Sequence, residues 1–220
     1  MTRRDTEIKV IRDQTSYEPM GHGKFSGQPT VSVKLSSAES NSIKVVSLES
    51  LFQRYGWKRK LRSGDARLRI YGDNPFSEEH SEALDFLFDL LNPRFIDFEV
   101  KDIHIQEEPI RSIRRRADTF SFVFDVTKED ERFDPEVMKN LSDFCNSHGN
   151  AQYIFKSDSV SQEDDIKEFK RKYGVYDWDV WLYPKGEKQS TVSESRESIE
   201  TVAKRNTWCL SPRMDIISDG

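Results

Sequence analysis

The sequence predicts an α/β fold, a parallel sheet or partial barrel with helices outside it. Three observations carry that expectation. Short runs alternate apolar and polar residues with period two, and the stretches between them repeat apolar residues at helical spacing. Strand and helix patterns exchange about six times along the chain, the order that βαβ units produce. No segment repeats closely enough to suggest a solenoid.

Residues 1–7 read as a loose end and Ile8–Ile11 as a short strand. Residues 12–29 read as a loop broken by Pro19, Gly21, Gly23, Gly27 and Pro29. Val31, Val33 and Leu35 then alternate with Thr30, Ser32 and Lys34, the signature of a strand with one buried face. A serine-rich loop follows. The loop after a parallel strand is where an α/β protein usually builds its site. This one holds almost none of the residue types that do chemistry.

Ser47 is placed to cap a helix to Tyr55, with Leu48, Leu51 and Phe52 on one face. Lys58, Arg59, Lys60 and Arg62 read as a basic loop, and Leu68–Tyr71 as a strand running into Gly72-Asp73-Asn74-Pro75. Ser77 caps a helix whose stripe is Leu84, Leu87, Phe88 and Leu91, stopped by Asn92-Pro93. Phe95–Val100 is a strand. Residues 101–118, with Arg111, Arg114, Arg115 and Arg116, read equally as a short helix or an irregular crossover.

Phe120, Phe122 and Phe124 alternate with smaller residues in a strand over 119–126. Asp134-Pro135 opens a helix to His148, proline taking its first position. Ala151–Phe155 is a strand, Ser161–Tyr173 a charged helix ended by Gly174, and Trp178–Tyr183 a strand stopped by Pro184. Residues 192–204 form the last helix, and 208–210 and 214–217 close the chain. The whole of 1–220 is expected to be one domain.

Composition bounds the function classes. Mean hydropathy is -0.76, yet 14 Phe, 7 Tyr and 4 Trp argue for a packed core rather than disorder. A formal charge of -5 gives no overall attraction to nucleic acid or anionic lipid. No run has the length of a membrane span, and the first residues lack the apolar core of a secretory signal. With only Cys145 and Cys209, an intracellular, reducing compartment and a cytoplasmic location are expected.

Three segments together resemble one family. They are Gly27-Gln28-Pro29-Thr30-Val31-Ser32-Val33-Lys34-Leu35, then Tyr71-Gly72-Asp73-Asn74-Pro75, then a tail of Val180-Trp181-Leu182-Tyr183-Pro184-Lys185-Gly186 and Leu210-Ser211-Pro212-Arg213-Met214-Asp215-Ile216. Their order and context resemble 7-carboxy-7-deazaguanine synthase, the radical-SAM enzyme of queuosine and deazaguanine biosynthesis. The resemblance spans most of the chain at low similarity, and the tail is its most persuasive part. It implies an incomplete (β/α)6 radical-SAM-like partial barrel. It also implies conversion of 6-carboxytetrahydropterin to 7-carboxy-7-deazaguanine with SAM, an iron–sulfur cluster and magnesium, and a homodimer, since the family commonly dimerises.

The functional positions depart from that pattern. Laid on the sequence without gaps, the family's Cys-x3-Cys-x2-Cys loop falls on Ala38, Ser42 and Val45. Alanine and valine cannot ligate iron, and a serine hydroxyl replaces a thiolate poorly. The family's Gln-Gly-Glu-Gly substrate loop corresponds to Met20-Gly21-His22-Gly23. Its Gly-Gly-Glu-Pro motif, which holds the SAM amino group, corresponds to Gly72-Asp73-Asn74-Pro75, so the glutamate is Asn74. Ser47 stands either in place of the magnesium-binding threonine or simply as a cap. In the tail Arg213 is kept, while Asp215 replaces the usual histidine. What remains is what shapes backbone: Gly21, Gly23, Gly27, Pro29, Gly72, Pro75, Pro184 and Pro212.

The chain is therefore read as a degenerate member without a cluster. No catalytic residue, metal, iron–sulfur cluster or SAM is expected, and the leading role is a pseudoenzyme that meets a protein partner. The alternative is a binder of a pterin, deazaguanine or nucleotide, with His22, Lys156, Tyr183, Pro184 and Arg213 as a residual pocket. An active synthase would need another mode of cluster ligation. Cys145 reads as a buried structural thiol and the four histidines as solvated or capping groups. Trp178, Trp181 and Tyr183 read mostly as core. The basic clusters at 58–62 and 111–116 read as solvated faces or as sites for nucleic acid or acidic protein.

Overall fold

The structure is a computed structural model that describes residues 7–8, 16–20, 23–35, 43–44, 52–72, 78–100, 117–125, 136, 139–140, 143, 151–186 and 189–211. Its strands are β1 (Glu7–Ile8), β2 (Ser16–Pro19), β3 (Pro29–Leu35), β4 (Ile43–Lys44), β5 (Arg67–Gly72), β6 (Ile96–Val100), β7 (Thr119–Asp125), β8 (Ala151–Ser157), β9 (Val180–Pro184) and β10 (Cys209–Leu210). Its helices are α1 (Trp57–Ser63), α2 (Glu78–Leu91), α3 (Glu163–Tyr173) and α4 (Gln189–Asn206). The chain divides into two compact units. Unit 1 holds residues 1–18 and 28–118, and unit 2 holds residues 19–27 and 119–220.

In unit 1, β3, β5 and β6 pair in parallel, with Val31 opposite Leu68 and Ile70 opposite Phe98. β2 borders β3, and β1 pairs with β4 antiparallel. Val31, Val33, Leu35, Leu68, Ile70, Ile96 and Phe98 share one face by register and are all buried. α2 covers it: its Leu84, Leu87, Phe88 and Leu91 stripe is buried, and Phe88 meets Phe98 edge to face at 6.1 Å. Asn92, at φ 45, ends α2 by bonding back to the Phe88 carbonyl at 2.7 Å.

In unit 2, β7, β8, β9 and β10 pair in parallel in that order. Phe122, Phe124, Tyr153 and Phe155 line one face, where Phe124 and Phe155 meet Phe169 of α3 at 4.8 and 5.3 Å. α4 packs on β9 and β10, burying Ile199, Val202 and Ala203. In both units parallel strands carry helices on one face, which makes the chain an α/β protein. No helix among the described residues is long and apolar enough to cross a membrane.

Several expectations need correction. β3 is buried on both faces, because Thr30 and Ser32 are covered as fully as Val31 and Val33. Alternation in a parallel strand records which face is apolar, not which is wet. The expected loop over 12–29 contains β2 and a 3-10 turn at Gly23–Phe25. The basic stretch 58–62 is no loop: it lies in α1, where Trp57 and Leu61 bury one side. Trp178 is not in β9; residues 177–179 form a 3-10 turn that leaves it 67% exposed and stacked on Tyr176. His80 is buried rather than solvated, since it shares the helical stripe of Leu84, Leu87 and Leu91. β8 runs two residues beyond Phe155, and α4 outreaches 192–204 at both ends.

Candidate functional site

In each unit the sheet face opposite the helices carries the polar chemistry. In unit 1 that face is charged. Period two places Arg67, Arg69 and Tyr71 of β5 beside Thr30, Ser32 and Lys34 of β3, and Asp97 and Glu99 of β6 beside them. Asp97, Glu99 and Arg67 are buried, and Arg69 forms an ion pair with Glu99. Burial lowers the Arg67 guanidinium pKa from its ordinary range, while the Asp97 and Asp118 carboxylates oppose that shift. Arg67 and Arg69 are matched in number by Asp97 and Glu99, and the half-buried Lys34 adds a further cation at the strand end. Gly72 ends β5 in register with Leu35. Its φ is 108, and a Cβ there would drive into the Leu35 carbonyl oxygen, so the position demands glycine for backbone reasons alone.

In unit 2 the corresponding face is mostly neutral. Ser121 lies opposite Gln152, Val123 opposite Ile154, and Lys156 opposite Tyr183. Val123, Ile154 and Tyr183 form a small buried cluster with Trp181 against it. The 3-10 turn at Gly23–Phe25 closes over the polar end. Gln152 Nε2 donates to Ser121 Oγ at 2.6 Å, and its Oε1 accepts from the Lys24 amide at 2.7 Å. The Gly23 amide donates to Ser211 Oγ at 2.8 Å, and Ser26 Oγ donates to the Gly23 carbonyl at 2.9 Å. Gly23 has φ 74, and a Cβ would sit 2.5 Å from Gln152 Oε1. Here too the glycine is required by backbone geometry.

Titratable groups gather at the start of β9 and β10. Desolvation raises the Asp179 carboxyl to about 6, and the Lys24 cation works against that rise. Desolvation, then the Asp179 charge, push the Cys209 thiol up from its ordinary value. A thiol in that environment is a poor nucleophile near neutral pH. Asp179 is the group there whose proton exchanges closest to neutrality.

The structure brings Lys156, Tyr183 and Pro184 of the expected pocket together at the ends of β8 and β9, where Ser157 lies opposite Pro184. Tyr183 is buried against Val123 and Ile154. His22, Arg213, Ala38, Ser42, Val45, Asp73, Asn74 and Pro75 lie outside the described residues, as do Ser47, Cys145 and residues 111–116. Sequence reasoning missed Arg67, Arg69, Asp97 and Glu99. Their signal was charge of opposite sign at period two on consecutive strands, which reads as a solvent face until both sides of the sheet are covered. Nothing local marks Gln152 or Lys24, which meet across 128 residues.

The fold defines an α/β protein built on parallel strands, and comparison goes no further: neither models of known protein families nor curated proteins match the chain.

Proposed function

We propose that the chain is a cluster-less relative of 7-carboxy-7-deazaguanine synthase, a pseudoenzyme that has kept a radical-SAM-like partial barrel and now serves protein interaction or assembly, as a monomer or homodimer. One observation carries this reading. A radical-SAM cluster needs three thiolates, and the chain has two cysteines in all, Cys145 and Cys209. Neither lies in the loop after β3, where the family's ligand positions fall on Ala38, Ser42 and Val45. The donor set does not fit the cluster, so no radical step is derived. Asn74 removes the charge that would hold SAM, while Gly72 and Gly23 are explained by backbone geometry without any ligand.

The test is iron, sulfide and the visible spectrum after anaerobic purification and reconstitution. The expected product is colourless, folded and iron-free. Stoichiometric iron with a cluster absorption band overturns the reading and makes deazaguanine synthesis the leading function.

A second reading is a binder of a pterin, deazaguanine or nucleotide. It is favoured by Lys156 and Tyr183, which lie in register at the strand ends beside Pro184. Thermal shift and calorimetry with pterins, deazaguanines and SAM check it, and silence across that panel rejects it.

A further inference from the structure

Unit 1 carries a patch whose charge opposes that of the chain. Between Gln53 and Ser63 the sequence has five cations, Arg54, Lys58, Arg59, Lys60 and Arg62, and no acidic residue, in a protein of formal charge -5. α1 gathers three of them on one open groove of about 620 Å³, whose walls include Lys58, Arg59, Arg62, Gln53 and Ser63. The groove is braced from α2 and the turn that follows it. Arg62 Nε donates to the Leu91 carbonyl at 3.2 Å, and Arg94 Nη1 donates to the Ser63 carbonyl at 3.4 Å. The second contact adds another exposed cation at the Ser63 end.

An aromatic platform adjoins these charges. Tyr55, between the lining residues Gln53 and Gly56, is 52% exposed. Its ring stacks on Trp57 at 5.0 Å and 23°. Trp57 in turn meets the fully buried Phe52 edge to face at 5.6 Å, which anchors the stack in the core. The Arg54 guanidinium lies over the Tyr55 ring, 5.8 Å from its centroid. An exposed ring and a guanidinium plane are the surfaces on which unpaired bases stack, and a row of Lys and Arg is what a phosphodiester backbone follows.

We propose that this groove binds single-stranded nucleic acid, with phosphates on Lys58, Arg59 and Arg62 and a base stacked on the Tyr55–Arg54 surface. The two features are needed together. Cations alone would take any polyanion, whereas an exposed aromatic beside them selects a strand with free base faces. The inference is independent of the function proposed above, since it uses no residue of the strand faces.

The test is fluorescence anisotropy with a labelled oligouridylate and oligothymidylate of about twelve nucleotides, within the range of small single-strand sites. Three neutralised phosphates predict a log–log salt slope of about -2, hence roughly 20-fold weaker binding at 200 than at 50 mM salt. Arg59→Gln should flatten the slope by about 0.7, and Lys58→Glu with Arg59→Glu should weaken binding about tenfold or more at low salt. Tyr55→Ala should cost about fivefold and leave the slope unchanged. All these side chains are at the surface, and circular dichroism with a melting curve confirms that each variant folds. Absence of binding at 50 mM salt, binding that ignores these variants, or equal affinity for a duplex of the same length overturns the proposal. So does an equal, equally variant-sensitive affinity for polyglutamate, which would make the groove a site for acidic protein.

Discussion

Each unit fills the sheet face opposite its own helices in a different way. Unit 1 lines it with Arg67, Arg69, Asp97 and Glu99, which are balanced by each other across neighbouring strands. Unit 2 lines it with Ser121, Gln152, Val123, Ile154 and Tyr183, and satisfies the polar end through the backbone of a turn some 130 residues upstream. The charged face needs a partner of opposite sign in the right register. The neutral face needs only a donor or acceptor, and a loop amide supplies it. The difference teaches where each unit is brittle, because stranding a buried charge costs far more than stranding a neutral group.

The largest expected effect comes from breaking the charged face. Arg69→Met leaves Glu99 buried without its ion-pair partner and should destabilise the protein by about 3–5 kcal/mol, read from urea unfolding. Arg69→Met with Glu99→Leu should recover part of that loss, because the carboxylate that lost its cation is removed with it. If the double variant is as unstable as the single, the pair does not carry the face.

Gly72→Ala comes next. The residue would be forced both into a left-handed backbone and against the Leu35 carbonyl, a cost of about 1–3 kcal/mol. In unit 2, Gln152→Ala should cost about 1–2 kcal/mol, since it removes the acceptor of the Lys24 amide and the donor to Ser121 Oγ but strands no charge. Faster hydrogen exchange at Gly23 and Lys24, with β5 unaffected, would place the loss in the turn. Equal destabilisation by Gln152→Ala and Arg69→Met would erase the contrast between the two faces.

The smallest effect is pH-dependent. Asp179 is raised in the folded protein from 3.8 to about 6. On raising pH, the unfolded chain loses this proton first, so between pH 3.8 and about 6 the native state holds more protons and stability falls. The penalty is complete above that window and absent below it. Asp179→Asn should flatten this part of the stability profile, measured by thermal melts across pH. Because Asp179 is partly exposed, solvent screens the effect and keeps it smaller than the others.

The strand and helix order was legible because it rests on periodicity. β3, β5, β7, β9 and α2 fall close to where alternation and helical stripes place them, and α3 stops at Gly174 as its breaker indicates. Legibility failed where one pattern has two physical meanings. Lys58–Arg62 looks like a loop by charge, yet Trp57 and Leu61, four residues apart, bury one side of a short helix. His80 looks like a surface group by type, yet its place on the α2 stripe buries it. Of the candidate site, the strand-end positions of Tyr183 and Pro184 were within reach of the sequence. The charge pairing of Arg69 with Glu99, and Gln152 capturing the Lys24 amide, were not.

By itself the sequence determined that this is an α/β chain, that its apolar stripes face helices, and that two cysteines cannot hold a three-thiolate cluster. Those conclusions depend on composition and local spacing, which need no knowledge of distant neighbours. Only the tertiary structure decided that both faces of β3 are covered, that four charged side chains on neighbouring strands share one buried face, and that Gly23 must lack a side chain. Each of these depends on which residues, far apart in the chain, come within a few ångströms, and in a parallel sheet that is set by crossovers whose register local pattern does not encode.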